Sequence, residues 1–201
     1  MDIMFIEEDL LIAFGGDIIE LKKNELLFKD NSVPANYYQI RKGKIKLTNL
    51  QTGNREFIQS LHLKGECVGE IFLFSTYHYT LSAVAMEDCT VLRLGRGALF
   101  KLLKADFEIQ LKLFQCMAER MRFNFIFLNS FLYDDAGGRL LTILNFVKDT
   151  HHQQEQYCCK IPYTRKDIAS LAGLRIETVI RTFKKMEHAG ILKIIKGKIF
   201  Y

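Results

Sequence analysis

The order of apolar and polar positions changes character twice along the chain. Between about residues 18 and 95 it has the short period of strands, and in Lys44-Ile45-Lys46-Leu47-Thr48 polar and apolar residues alternate one by one. This alternation predicts Ile45 and Leu47 facing inward and the lysines facing water. Gly43, Gly53, Gly65 and Gly69 recur near the ends of such runs, where a positive φ costs glycine little. The expectation is an antiparallel barrel or roll. Around Gly97 the period lengthens, and Ala98 to Tyr133 holds neither Pro nor Gly. There Phe114, Met117, Met121, Asn124, Leu128 and Phe131 recur at alternating steps of three and four, the spacing of a coiled-coil seam. Leu113, Phe123 and Phe127 lie beside them, so the helix has more apolar surface than one seam covers. Burial of the whole helix within one barrel is the alternative. The two stripes favour one flank on the chain's own barrel and the seam on a second copy, with Asn124 as a polar register mark.

The last third reads as a set of short elements. A helix is expected over DDAGGRLLTILNFVKD, with Leu140, Ile143, Leu144 and Val147 as its buried stripe. After a polar loop, Thr164 followed three residues later by Asp167 has the form of a capping box opening the helix KDIASLA. Gly173 suits a tight turn, and a second helix runs from there to Gly190, which can take a left-handed stop. Two strands, ILKII and KIFY, flank Lys196 and Gly197 as a hairpin. Two short helices around a glycine turn, followed by a hairpin, describe a winged helix-turn-helix. In the second helix Val179, Phe183 and Met186 form the inward stripe. The opposite face carries Glu177, Ile180, Arg181 and Lys184, with Arg175 and Thr178 on its shoulders. Such a face fits a major groove: Arg forks to guanine O6 and N7, Glu accepts from cytosine N4, and Ile rests on a thymine methyl. A surface pair between Glu177 and Arg181 at i, i+4 is the plain alternative. It leaves the capped helix, the turn and the basic hairpin unexplained.

Charge sharpens the division. From residue 134 onward there are 12 Lys and Arg against 7 Asp and Glu, net +5; the totals of 28 and 23 leave 16 of each for the rest. All the excess positive charge therefore sits in the last third, where an anionic partner is expected. Hydrophobic residues make up 49% of the 201, enough for sizeable cores. The greasiest stretch, FNFIFLNSFLY, is interrupted by Asn124 and Asn129 and falls far short of the ~18–20 apolar residues of a membrane span. The first twenty residues carry acids and no base, unlike a signal peptide, so a cytoplasmic protein is expected. The five cysteines, 67, 89, 116, 158 and 159, form no C-x-x-C pair or spaced cluster, and His151 and His152 sit in a polar run. No metal or other cofactor is expected, and no membrane contact.

The run TRKDIASLAGLRIETVIRTFKKME, with its E-T-V-x-R core, closely resembles the helix-turn-helix of the Crp/Fnr transcription regulators. Upstream, GECVGEIFLF followed by TLSAVA resembles the phosphate-cradle region of that family's cyclic-nucleotide-binding-like β-roll, and the long helix sits where the family has its dimer helix. The resemblance covers nearly the whole chain. It implies an α+β fold: a jelly-roll-like double-stranded β-helix over 1–105, a long dimerisation helix over 106–133 and a winged helix-turn-helix over 134–201. It implies Glu177 and Arg181 as the base-reading pair and Arg165 as a phosphate contact. Ile180 stands where the family's two well-known branches have a Ser or a Gly, and Arg175 where a small polar cap is usual. In the sensor pocket Gly69, Glu70 and Ser82 match the cyclic-AMP-binding pattern, but Leu81 stands in place of the phosphate-neutralising Arg. A buried phosphodiester without its guanidinium keeps an unpaired charge. The iron-sulfur branch needs N-terminal cysteines, and none precedes Cys67.

These readings converge on a homodimeric, sequence-specific regulator of transcription that binds double-stranded DNA at an inverted-repeat operator and has lost cyclic-AMP binding. RNA polymerase is a partner by the resemblance alone, and the effector is unknown. An enzyme is not expected, since His62 and His78 are isolated from any cupin-like cluster. The alternative is a cyclic-nucleotide-binding-like module acting through protein contacts without DNA.

Overall fold

The computed structural model of the protein describes residues 5–50, 56–150 and 155–201. Gly53 and the pair His151 and His152 lie outside the described residues. The chain divides into two compact units, with the boundary after Met117.

The first unit opens with helix α1 (Glu8–Ala13) and continues as strands β1 (Asp17–Leu21), β2 (Leu26–Phe28), β3 (Asn36–Lys42), β4 (Ile45–Leu50), β5 (Glu56–His62), β6 (Ser82–Ala85) and β7 (Cys89–Gly95). These form two antiparallel sheets, in the orders β1-β7-β3 and β2-β6-β4-β5. The β4 strand shows how the sequence pattern becomes structure and where it fails. Ile45 and Leu47 are buried, as the alternation requires, yet Thr48 is buried as well. The β4–β5 register shifts between Leu47 and Thr48, the mark of a bulge, so two consecutive side chains point inward. The Thr48 hydroxyl is satisfied there by donating to the Phe57 carbonyl at 2.9 Å. One core cluster of the unit gathers Tyr37, Leu92 and Leu94 with helical residues, and the other gathers Phe28, Tyr38, Ile40, Tyr79 and Val91.

The helical stretch that follows is two helices, α2 (Arg96–Ala105) and α3 (Phe107–Tyr133). Asp106 between them is extended, at φ −130° and ψ 102°, and its carboxylate accepts the Ile109 N–H at 3.1 Å, which caps α3. Ile109 and Leu113 drop into the first cluster beside Leu99 and Leu102.

In the second unit α4 (Ala136–Thr150) buries Leu140, Ile143, Leu144 and Val147, the expected stripe. Phe123 of α3 stacks on Phe146 of α4 with ring centroids 3.8 Å apart, and Phe127 stacks on Phe123 at 5.4 Å. The flank of α3 expected to lie wholly on the roll is thus divided: Leu113 packs there, while Phe123 and Phe127 belong to the C-terminal unit. Helices α5 (Arg165–Ala172) and α6 (Ile176–His188) and the hairpin β8 (Lys193–Ile195) and β9 (Lys198–Phe200) complete it. The whole is an α+β chain with a β-roll, a long helix and a winged helix-turn-helix. No described helix is long and apolar enough to cross a membrane.

Candidate nucleic-acid interface

Local rules set the position of α6. Thr164 Oγ1 accepts the Asp167 N–H at 3.2 Å while the Asp167 carboxylate accepts the Thr164 N–H at 2.9 Å, a reciprocal capping box that fixes where α5 starts. Gly173 ends α5 in the left-handed conformation, φ 63°, and any Cβ there would meet the Phe131 ring at 3.0 Å. Both the backbone angle and the space demand glycine. The turn then delivers α6 with Val179, Phe183 and Met186 buried at offsets of four and three.

The outward face of α6 holds Glu177, Ile180, Arg181 and Lys184, all exposed, with Thr178 half-buried and Arg175 exposed at the N-cap position. Arg175 gives no side-chain cap, so the first N–H groups of α6 receive no bond from that side chain. Among the described residues neither Glu177 nor Arg181 has a hydrogen-bond or ion-pair partner. The i, i+4 surface pair is therefore not formed, and both charged heads stand available on either side of Ile180. A shallow groove runs along this face, lined by Glu177, Ile180, Arg181, Lys184, Lys185 and His188. A second depression joins it to the hairpin through Arg165, Ile180, Lys184 and Ile194.

The hairpin is fastened to this face. Lys196 and Gly197, at φ 47° and 75°, make the two-residue connection with both positive angles of a type I′ turn. Arg165 Nη1 donates to the Gly197 carbonyl at 3.1 Å, and the Ile194 N–H donates to the Glu187 carboxylate at 2.9 Å. Arg165 thus holds the wing as well as facing the groove. Lys196 and Lys198 are exposed on the wing and extend the basic surface. The site residues expected from sequence omitted Lys185, His188 and these wing lysines; the signal was present in the KIIKGK run, which reads simply as a basic hairpin.

The residues expected to line a pocket in the roll lie among packed aromatic side chains. Gly69 (φ 70°) opens a short 3-10 turn, Glu70–Phe74, and a Cβ on it would lie 2.7 Å from the Phe28 ring. Phe28 stacks on Tyr79 with centroids 3.8 Å apart and planes within 9°, and Phe72 meets Tyr79 edge-on at 5.2 Å. Burial pushes the Tyr79 hydroxyl well above its ordinary pKa, helped by the nearby Tyr38 and Glu70. Ser82 is buried and its hydroxyl accepts the Asp30 N–H at 3.0 Å, Leu81 packs against the core, and Glu70 is fully buried. Gly69 lies against the Phe28 ring, and Leu81 packs on the cluster that holds Phe28 and Tyr79.

On α3 the exposed apolar stripe differs from the expected seam. Phe107, Leu111, Phe114, Met121, Phe125, Leu128 and Leu132 are exposed, as is Ala118. They recur at steps of four and three without a gap. Phe114, Met121 and Leu128 were expected in this stripe. Met117 instead packs against the roll cluster. Phe131 packs edge-on against Phe127 at 4.9 Å and carries the Arg139 guanidinium 4.6 Å above its ring. Asn124, exposed, lies beside the stripe. Positions i+3 and i+4 both satisfy the spacing, and the packing of the flank is what distinguishes them in the single chain.

Comparison with known proteins matches two family models. A cyclic nucleotide-binding domain fits residues 18–106 and a Crp-like helix-turn-helix domain fits residues 138–200. The nitrogen fixation regulation protein FixK of Azorhizobium caulinodans is 26% identical over 92% of this chain and 74% of its own length. The cAMP-activated global transcriptional regulator CRP of Salmonella typhimurium is 25% identical over 85% of this chain and 81% of its own. The solved structure of FixK2 from Bradyrhizobium japonicum shares the fold with a TM-score of 0.77, at 24% identity, over 92% of this chain and 91% of that one.

Proposed function

Because the chain belongs to the Crp/Fnr family of DNA-binding transcription regulators, we propose that it acts as a cytoplasmic homodimer whose α6 helices read an inverted repeat and whose roll does not take cyclic AMP. The observation that carries this reading is the pair Glu177 and Arg181, exposed and unpartnered among the described residues on either side of Ile180. In a major groove Arg181 meets a guanine, Glu177 accepts from a cytosine, and Ile180 covers a thymine methyl. Arg165, Arg175, Thr178 and Lys184, joined by the wing lysines, take phosphates, which set register without choosing sequence. Two copies related by a two-fold axis place their reading helices about 34 Å apart, one turn of DNA.

The copies meet along α3. The stripe from Phe107 to Leu132 is a long exposed apolar seam, and a surface of that kind calls for a partner. The loss of cyclic AMP is supported by Leu81 in place of a guanidinium. RNA polymerase remains a partner by family membership.

Selection of binding sites from a random DNA pool tests the central claim. The native chain should enrich an inverted repeat with a guanine and a cytosine-bearing pair in each half-site. Glu177→Ala should lose the preference at one position, worth about 1–3 kcal/mol of discrimination. Enrichment of the same motif with the same stringency by the variant would overturn the reading.

A further inference from the structure

Three groups with metal-binding chemistry come together in the first unit. Cys67 lies on the segment just before the Gly69 turn, Glu70 on the turn itself and Cys116 on α3. The Cys67 and Cys116 sulfurs are 3.9 Å apart. A carboxylate oxygen of Glu70 and the two sulfurs all lie within 4.8 Å of one another. Cys67 and Glu70 are fully buried and Cys116 is half-buried.

From this arrangement we propose that Cys67, Glu70 and Cys116 form a binding site for a thiophilic divalent cation of the zinc type. The separation fits the chemistry. Zinc–thiolate bonds of about 2.3 Å at a tetrahedral angle put the two sulfurs about 3.8 Å apart, close to the 3.9 Å observed. A disulfide instead requires the sulfurs at about 2.05 Å, roughly half the distance present. The donor set of two soft sulfurs and one carboxylate oxygen suits a borderline-soft ion and leaves the fourth position open to water or a small ligand. Half-exposed Cys116 supplies an entry path. Binding is an exchange in which each thiol releases its proton as its sulfur takes the ion, two protons per ion, so affinity falls as pH falls.

The site has a mechanical meaning. Cys67 and Glu70 bracket Gly69, and Cys116 sits two residues beyond Phe114 on α3, so an ion would pin the turn of the roll to the helix that carries the apolar stripe. The inference does not depend on the DNA reading, because it is tested by metal binding alone.

The experiment is a cobalt(II) titration of the reduced full-length chain, followed by zinc competition. Tetrahedral thiolate coordination gives a sulfur-to-cobalt charge-transfer band and intense visible d–d bands. The expected result is one cobalt per chain, displaced by zinc. Cys116→Ser, chosen because the residue is half-exposed, should lose the charge-transfer band and weaken binding by at least about 100-fold, more than outer-shell changes cost. Glu70→Gln should keep thiolate bands and weaken binding about tenfold or more. The double variant Cys158→Ser with Cys159→Ser should bind as the native chain does, and circular dichroism confirms that each variant is folded. No charge-transfer band with stoichiometric cobalt, a band that survives Cys116→Ser, or a Glu70→Gln affinity equal to the native one would overturn the proposal.

Discussion

Phe125→Ala asks whether two copies meet along the stripe observed on α3 and not along the neighbouring one. Phe125 is 62% exposed in the single chain. Complete burial of a phenylalanine side chain is worth about 1.5–3 kcal/mol, so covering that exposed part is worth about 1–2 kcal/mol, most of which alanine forfeits. A two-fold interface counts the residue twice, so the loss is about 2–4 kcal/mol per dimer. At about 1.4 kcal/mol per decade, the dissociation constant rises roughly 30- to 800-fold. Sedimentation velocity of the full-length chain across nanomolar to micromolar concentrations reads this directly. Asn124→Ala is the matched control, one residue away and beside the stripe, and should shift the constant by less than about threefold. If Phe125→Ala shifted it no more than Asn124→Ala did, the stripe running through Leu111, Ala118 and Phe125 would not be the interface. Met117→Lys should behave differently from both, lowering the stability of the first unit because it places a charge against the roll cluster.

Calorimetry with cyclic AMP should show no saturable binding below about 1 mM, because Leu81 stands where the phosphate needs a guanidinium, and a low-micromolar constant would overturn that reasoning. Gly173→Ala combines a left-handed residue at φ 63° with a Cβ 3.0 Å from the Phe131 ring. It should cost about 1–3 kcal/mol, seen as a lower urea midpoint at unchanged slope. A variant as stable as the native chain would show that this turn does not constrain the helix pair.

The C-terminal unit was legible because its signals are local. A capping box spans four residues, a left-handed glycine declares itself, and the stripe Val179, Phe183 and Met186 follows from one helical period. What escaped depends on partners distant in sequence. The bulge at Leu47 and Thr48 is set by the neighbouring strand, and alternation within β4 carries no trace of it. On α3, Met117 and Ala118 are equally good by spacing, and the choice is made by the roll cluster that claims Met117. Asp106 is a good capping residue that could have marked the break between α2 and α3, but a run free of Pro and Gly reads as continuous. Cys67 and Cys116 lie 49 residues apart, so no spacing rule could have joined them.

The ring stack over Gly69 also bears on what the protein can respond to. A sensor changes state because the chemical potential of its ligand changes, and the shift in population is limited by the difference in affinity between the two states. Phe28 and Tyr79 belong to every copy at fixed stoichiometry, so their stack cannot itself vary with the state of the cell. If the roll takes no ligand, as proposed, nothing on this side of it reports a change in the surroundings. Occupancy of its operators would then track how many copies are made, unless a signal enters by another door.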